Sequence, residues 1–206
     1  MTTRMHHSDL TRQLSLAIPI VFSLFFLRCS NENVGSPGLY NIDSVITRQI
    51  FYLKNNGAEI RKKAVLNGQE KITIVSPKDS LDWSEELGVF LDLDVINKPI
   101  YKEQYKVEDL ADKESNLRVK SYTTTEDLPV KFLRVYYYRS TGQVRKIEAQ
   151  YDEANSLYTS SRFLTLEFEN ASDITLLTSY SVDGGQKMFL DDSVEYTIDA
   201  GIVKKK

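Results

Sequence analysis

From Leu117 onward the chain alternates between half-apolar extended segments and turns of two to four residues, a spacing that points to antiparallel sheet. Parallel strands would need crossovers of about a dozen residues or more. The expected strands are 117–124, 130–139, 144–151, 157–169, 174–182 and 187–199. Between them lie Glu126-Asp127, Ser140-Thr141-Gly142, Asp152-Glu153-Ala154-Asn155, Asn170-Ala171-Ser172-Asp173 and Asp183-Gly184-Gly185. Leu164, Leu166 and Phe168 face one way, against Thr165, Glu167 and Glu169. Ile174, Leu176, Thr178, Tyr180 and Val182 line one face of the next strand. One buried face and one wet face is the ordinary arrangement for such a sheet.

Upstream, the periodicity changes. Ile42, Val45, Ile46, Gln49, Ile50 and Leu53 form a helical stripe over about 41–55, capped by Asn41 or Asp43 and stopped by Asn55-Asn56-Gly57. Asn67-Gly68 sits between two extended runs, 58–66 and 69–75, which is the strongest short hairpin signal. A second helix is expected over about 80–93, started by Asp79 or Ser80, with Trp83, Leu87, Phe90 and Leu91 on its apolar face. The fold expected is α+β: an N-terminal helix, a β-hairpin, a second helix and then an about six-stranded antiparallel sheet packed on the helices. It forms one domain over 41–206.

The N-terminus carries a different signal. Arg4 and Arg12 precede an uncharged apolar run, Leu14–Leu27, which ends at Arg28-Cys29. As a helix this run reaches about 21 Å. A bilayer core is about 30 Å thick, so the run fits a signal peptide better than a span. Residues 1–28 are read as the signal peptide and 29–40 as a cysteine plus tether. Leu27-Arg28-Cys29-Ser30 resembles a degenerate bacterial lipobox. That resemblance implies lipid on Cys29, a palmitate-bearing lipoprotein and a membrane-anchored place in the cell envelope, facing the periplasm or the cell surface. Arg28 departs from the motif, which has a small residue before the cysteine, and the alternative is an uncleaved anchor.

Composition excludes several chemistries. His6 and His7 are the only histidines, and Cys29 is the only cysteine. After removal of 1–28 the chain has no imidazole, so Ser-His-Asp and Cys-His catalysis and zinc sites built on His are not expected. An intramolecular disulfide is impossible. Processing removes Arg4, Arg12, Arg28 and Asp9, leaving 23 basic against 28 acidic residues, a net charge of −5. An acidic domain speaks against nucleic acid. No catalytic residue, metal ligand or cofactor is assigned. Asp92-Leu93-Asp94 and Asn97 offer oxygen ligands but lack a calcium-loop pattern, and are read as a solvated helix end. Asp191-Asp192 is read as a bulge or edge device in the last strand.

Tyr136-Tyr137-Tyr138 is the one aromatic cluster. Strand alternation lets only Tyr136 and Tyr138 share a face, and these two are the candidate ligand or partner surface. Core or edge packing is the competing account.

The stretch Leu81-Asp82-Trp83-Ser84-Glu85-Glu86-Leu87, with Phe90, Ile96-Asn97-Lys98-Pro99-Ile100 and Tyr105-Lys106-Val107, resembles an uncharacterised group of Bacteroidetes-type lipoproteins. The resemblance implies location and architecture and brings no activity. Three Asp-Ser-apolar triplets, at 43–45, 79–81 and 192–194, resemble the O-glycosylation motif of periplasmic proteins in the same group. The function expected is a non-catalytic, lipid-anchored envelope protein that binds a lipid, a glycan or an envelope protein. The alternatives are a carboxylate-dependent periplasmic hydrolase and a structural assembly subunit. A sheet around helices is similar to periplasmic lipoprotein carriers at the level of fold alone. An apolar cavity of several hundred Å³ would mark lipid binding, and a filled core with an exposed aromatic patch a protein partner.

Overall fold

The computed structural model describes residues 38–171, 174–189 and 192–204. The expected signal peptide 1–28, Cys29, the tether up to Pro37, Asp191 and Lys205-Lys206 lie outside the described residues.

Helix α1 runs Ile42–Asn55. The Asn41 side chain caps it by accepting from Ser44 N at 2.8 Å, and Gly57 ends it at φ +57°. Ile42, Ile46, Ile50 and Leu53 bury the expected stripe. Gln49 is buried with them, only 4% exposed. Strands β1 (Ala58–Leu66) and β2 (Gln69–Val75) follow as a hairpin. Leu66 pairs with Gln69, and both central residues of the loop have positive φ, 46° at Asn67 and 81° at Gly68. A two-residue loop that follows the twist of its strands needs this conformation.

Helix α2 (Ser80–Leu91) is capped by the Asp79 carboxylate, which accepts from Leu81 N and Asp82 N at 2.8 and 3.1 Å. Those two donors, Asp82 first, hold Asp79 below the usual carboxylate range. Trp83, Leu87 and Phe90 are fully buried. A 3₁₀ helix continues over Asp92–Asn97 and buries Leu93 and Ile96, and a single turn, α3 (Pro99–Lys102), closes the segment.

The remaining strands are β3 (Lys106–Ala111), β4 (Leu117–Thr123), β5 (Val130–Tyr138), β6 (Val144–Ala154), β7 (Tyr158–Ala171), β8 (Ile174–Met188) and β9 (Ser193–Lys204). Nine described strands form one antiparallel sheet in the order β2-β1-β9-β8-β7-β6-β5-β4-β3. The fold is mainly β, broadly consistent with the expected α+β class, and the expected six strands are corrected to nine. Two physical reasons account for the difference. The hairpin is part of the same sheet, because β1 pairs along its whole length with β9. The exposed edge strand β3, KVEDLA, has no alternation to reveal it.

The last turn is also corrected. Asp183-Gly184-Gly185 lies inside β8 rather than between strands, and β9 begins at Ser193. Gly184 is there because the Tyr196 ring of β9 lies across it. A Cβ at Gly184 would stand 2.9 Å from that ring. Asp192 precedes β9, so it is no bulge in that strand.

The helices cover one face of the sheet. Tyr122, Leu133, Ala149, Leu164, Val182 and Ile198 form one row across six strands beneath them. Trp83, Phe90 and Phe168 are among the largest fully buried side chains. Leu39 and Tyr40 pack against this core. Asn97 fastens Tyr40 twice: Tyr40 N donates to Asn97 Oδ1 at 3.2 Å, and Asn97 Nδ2 donates to Tyr40 O at 2.7 Å. The Tyr122 hydroxyl donates to Leu39 O at 2.8 Å. Among the described residues no helix is long and apolar enough to cross a membrane.

Candidate functional site

Strand register gives the helix-bearing face three successive rows with different chemistry. The row Leu133–Ala149–Leu164–Val182–Ile198 is apolar and buried or packed on the core. The next row outward contains Tyr151, Arg162, Gly184 and Tyr196. The third contains Glu153, Ser160, Gln186 and Val194. The face thus changes from oil to hydrogen-bonding groups within two rungs.

That third row is the floor of an open groove of about 650 Å³. Tyr101, Leu128 and Pro129 stand at its side, and Tyr151 forms its inner wall. A second groove, of about 460 Å³, runs past Asp94 and Asn97 and adjoins the first at Tyr151.

Arg162 organises the boundary between core and groove. Its guanidinium lies 4.7 Å from the Tyr151 ring centroid, a favourable cation–π placement. It faces Asp92 at 3.5 Å and Glu153 at 3.8 Å, and its Nε has no hydrogen-bond partner among the described residues. Tyr158 donates to Glu153 at 2.5 Å. Burial, then the Asp92 and Glu153 charges, raise the Tyr151 pKa. The Tyr151 phenol therefore keeps its proton at neutral pH.

Three acidic side chains of the groove have hydrogen-bond or ion-pair partners. Asp127 pairs with Lys131 at 2.8 Å, which holds it below the usual carboxylate range. Asp152 accepts from Ser161 at 2.7 Å. Glu153 accepts from Tyr158. A general acid for glycoside cleavage would need burial or a like-charge neighbour to hold its proton at neutral pH. Asp127 has the opposite environment.

The sequence candidates fall elsewhere. Tyr136 and Tyr138 do share a face, because β4 sets Val119 opposite Tyr136 and Leu117 opposite Tyr138. It is the face away from the helices. Tyr136 donates to Glu148 at 2.8 Å, and Lys146 sits 4.3 Å from its ring while pairing with Glu148 at 2.7 Å. Burial, then the Glu148 contact, pushes its pKa up to about 12. A ring already engaged by a cation and an acid is a cross-strand brace. Tyr137 points the other way, donating to Asp109 at 2.5 Å beside Arg118. Asp92, Asp94 and Asn97 line the second groove, where Asp92 faces Arg162 and Asn97 Nδ2 donates to Asp94 at 2.8 Å. Among the described residues no group of three or more His, Cys, Asp or Glu could hold a metal ion. Cys29 lies outside them.

Sequence reading missed Arg162, Ser160, Glu153 and Gln186. One signal was present. Arg162 and Ser160 continue the Leu164-Leu166-Phe168 alternation, so two polar residues sit in register with the core face. Compared with known proteins, the chain matches no family model, no curated protein and no solved structure.

Proposed function

We propose that this protein is a non-catalytic module of the bacterial cell envelope, held to a membrane by lipid on Cys29, that binds a neutral glycan in the groove on β6–β9. The observation that carries this reading is the change of chemistry on the helix-bearing face, from a filled apolar core to a floor of Glu153, Ser160 and Gln186 beside Tyr151. Sugar rings present hydroxyls to carboxylates and amides, and C–H faces to aromatic rings. An acyl chain in the same place would strip water from those polar groups without replacing their hydrogen bonds. Asp127 and Glu153 outnumber Lys131 at the groove, so an anionic glycan would meet net repulsion. Engagement of the carboxylates as acceptors supports binding without cleavage. The lipid anchor is supported by the apolar run before Cys29 and by the polar tether that follows it.

Native mass spectrometry of the protein purified from an exporting host tests this. The expected spectrum shows an added mass that matches a glycan and disappears in Ser160→Arg, which fills the floor of the groove. A fatty-acid mass, or an adduct unaffected by Ser160→Arg, would refute the groove assignment.

A further inference from the structure

Two neighbouring turns carry side chains that turn chemistry does not require. In the β6–β7 turn, Asn155 does the structural work: its Oδ1 accepts from Leu157 N and Tyr158 N at 2.8 and 3.0 Å. Leu157 then projects outward, 67% exposed. At the end of β8, Met188 is 38% and Phe189 80% exposed. Phe189 N donates to Leu157 O at 2.9 Å, which joins the two turns into one apolar tip. Lys187 flanks it.

We propose that Leu157, Met188 and Phe189 rest in the headgroup–acyl boundary of the bilayer to which Cys29 attaches the chain, an inference that depends on the lipid-anchor reading above. Three side chains at a protruding turn are too few for a stable protein interface, which buries about 800 Å² on each partner. They suit shallow insertion of roughly 5–10 Å. The chain places the same bilayer within reach. Cys29 and Gly38 are nine residues apart, which allows a separation of at most about 30 Å. The tether meets the folded unit at Tyr40, fastened by Asn97. Asn97 and Tyr151 line one groove, and Tyr151 and Lys187 line the adjoining one. The tether junction and the tip therefore lie along one continuous stretch of surface.

The test uses the full-length lipidated protein in vesicles of phosphatidylethanolamine and phosphatidylglycerol with brominated acyl chains. Phe189→Trp places a fluorophore at the tip. Thr141→Trp places one in the β5–β6 turn, at the opposite end of the strands, and the buried Trp83 supplies the common background. Both substitutions fall on turns and leave the core intact. The expected result is loss of about half the added emission in Phe189→Trp and little loss in Thr141→Trp. A protein that floats with the vesicles while both variants are quenched equally overturns the tip and leaves the anchor standing. A protein that does not float overturns the anchor and the tip together.

Discussion

Gln49 replaces a piece of missing strand, and removing its amide should loosen β8. The β8–β9 ladder stops at Ser179 opposite Gly201, so the start of β8 has no strand on that side. The Gln49 amide takes its place: Nε2 donates to Thr175 O at 3.0 Å, and Oε1 accepts from Leu177 N at 2.8 Å. Gln49→Met keeps the length of the side chain and its packing but removes both polar groups. Leu177 N would be left buried without a partner, a loss of about 1–3 kcal/mol. Thr175 O is partly open to water, and its loss is about 0.5–1.5 kcal/mol. The sum, roughly 2–4 kcal/mol, corresponds to a fall of about 1 M in the urea midpoint at a slope of 2–3 kcal/mol/M. Equilibrium unfolding by urea measures this, and hydrogen exchange at the Leu177 amide should accelerate in parallel. A midpoint within about 0.2 M of the parent, with Leu177 still protected, would refute the idea that this side chain completes the sheet.

Trp83→Ala should cost roughly 3–5 kcal/mol in the same assay, because the ring is fully buried, and a loss below about 1 kcal/mol would contradict that burial. Trp83→Phe should cost far less, because Trp83 Nε1 has no partner among the described residues and the exchange removes an unsatisfied donor. Asp79 has a depressed pKa in the folded state, so its contribution is full above the unfolded value of about 3.9 and is lost as pH falls through the folded value. Asp79→Ser caps the helix without titrating, so its thermal midpoint should fall less than the parent's between about pH 5 and pH 3, and parallel acid limbs in calorimetry would rule the cap out as the cause. Cys29→Ser should release the protein from membranes into the soluble fraction, and unchanged retention would identify the apolar run itself as the anchor.

The elements that were legible from sequence are those whose local chemistry and tertiary setting agree. Asn41, Asn67-Gly68 and Asp79 act as the cap, turn and cap that their residue types favour, and Trp83 lies in the core. Strand β3 was not legible because an edge strand exposed on both faces needs no alternation. Gly184-Gly185 looked like a turn because the reason for glycine, the Tyr196 ring, comes from a different strand. The groove was legible only at Arg162 and Ser160, where polar residues continue the apolar register of β7. Its other members come from distant parts of the chain, Tyr101 from α3 and Gln186 and Val194 from the β8–β9 pair, and become neighbours only in the folded sheet. Tyr136 and Tyr138 drew attention by local density, whereas Glu148 and Lys146, which occupy Tyr136, come from the next strand.

The sheet order β2-β1-β9 also sets a rule about time. The hairpin leaves any ribosome or export channel well before β9, yet among the described strands its one ladder to the rest of the sheet is with β9. Until Ser193–Lys204 arrives, β1 lacks the strand that joins it to the rest of the sheet. Closure of a loop of this length is slow compared with forming the local hairpins that precede it. A chain delivered only as far as β8 therefore stays incomplete and threadable, and the sheet closes when β9 arrives.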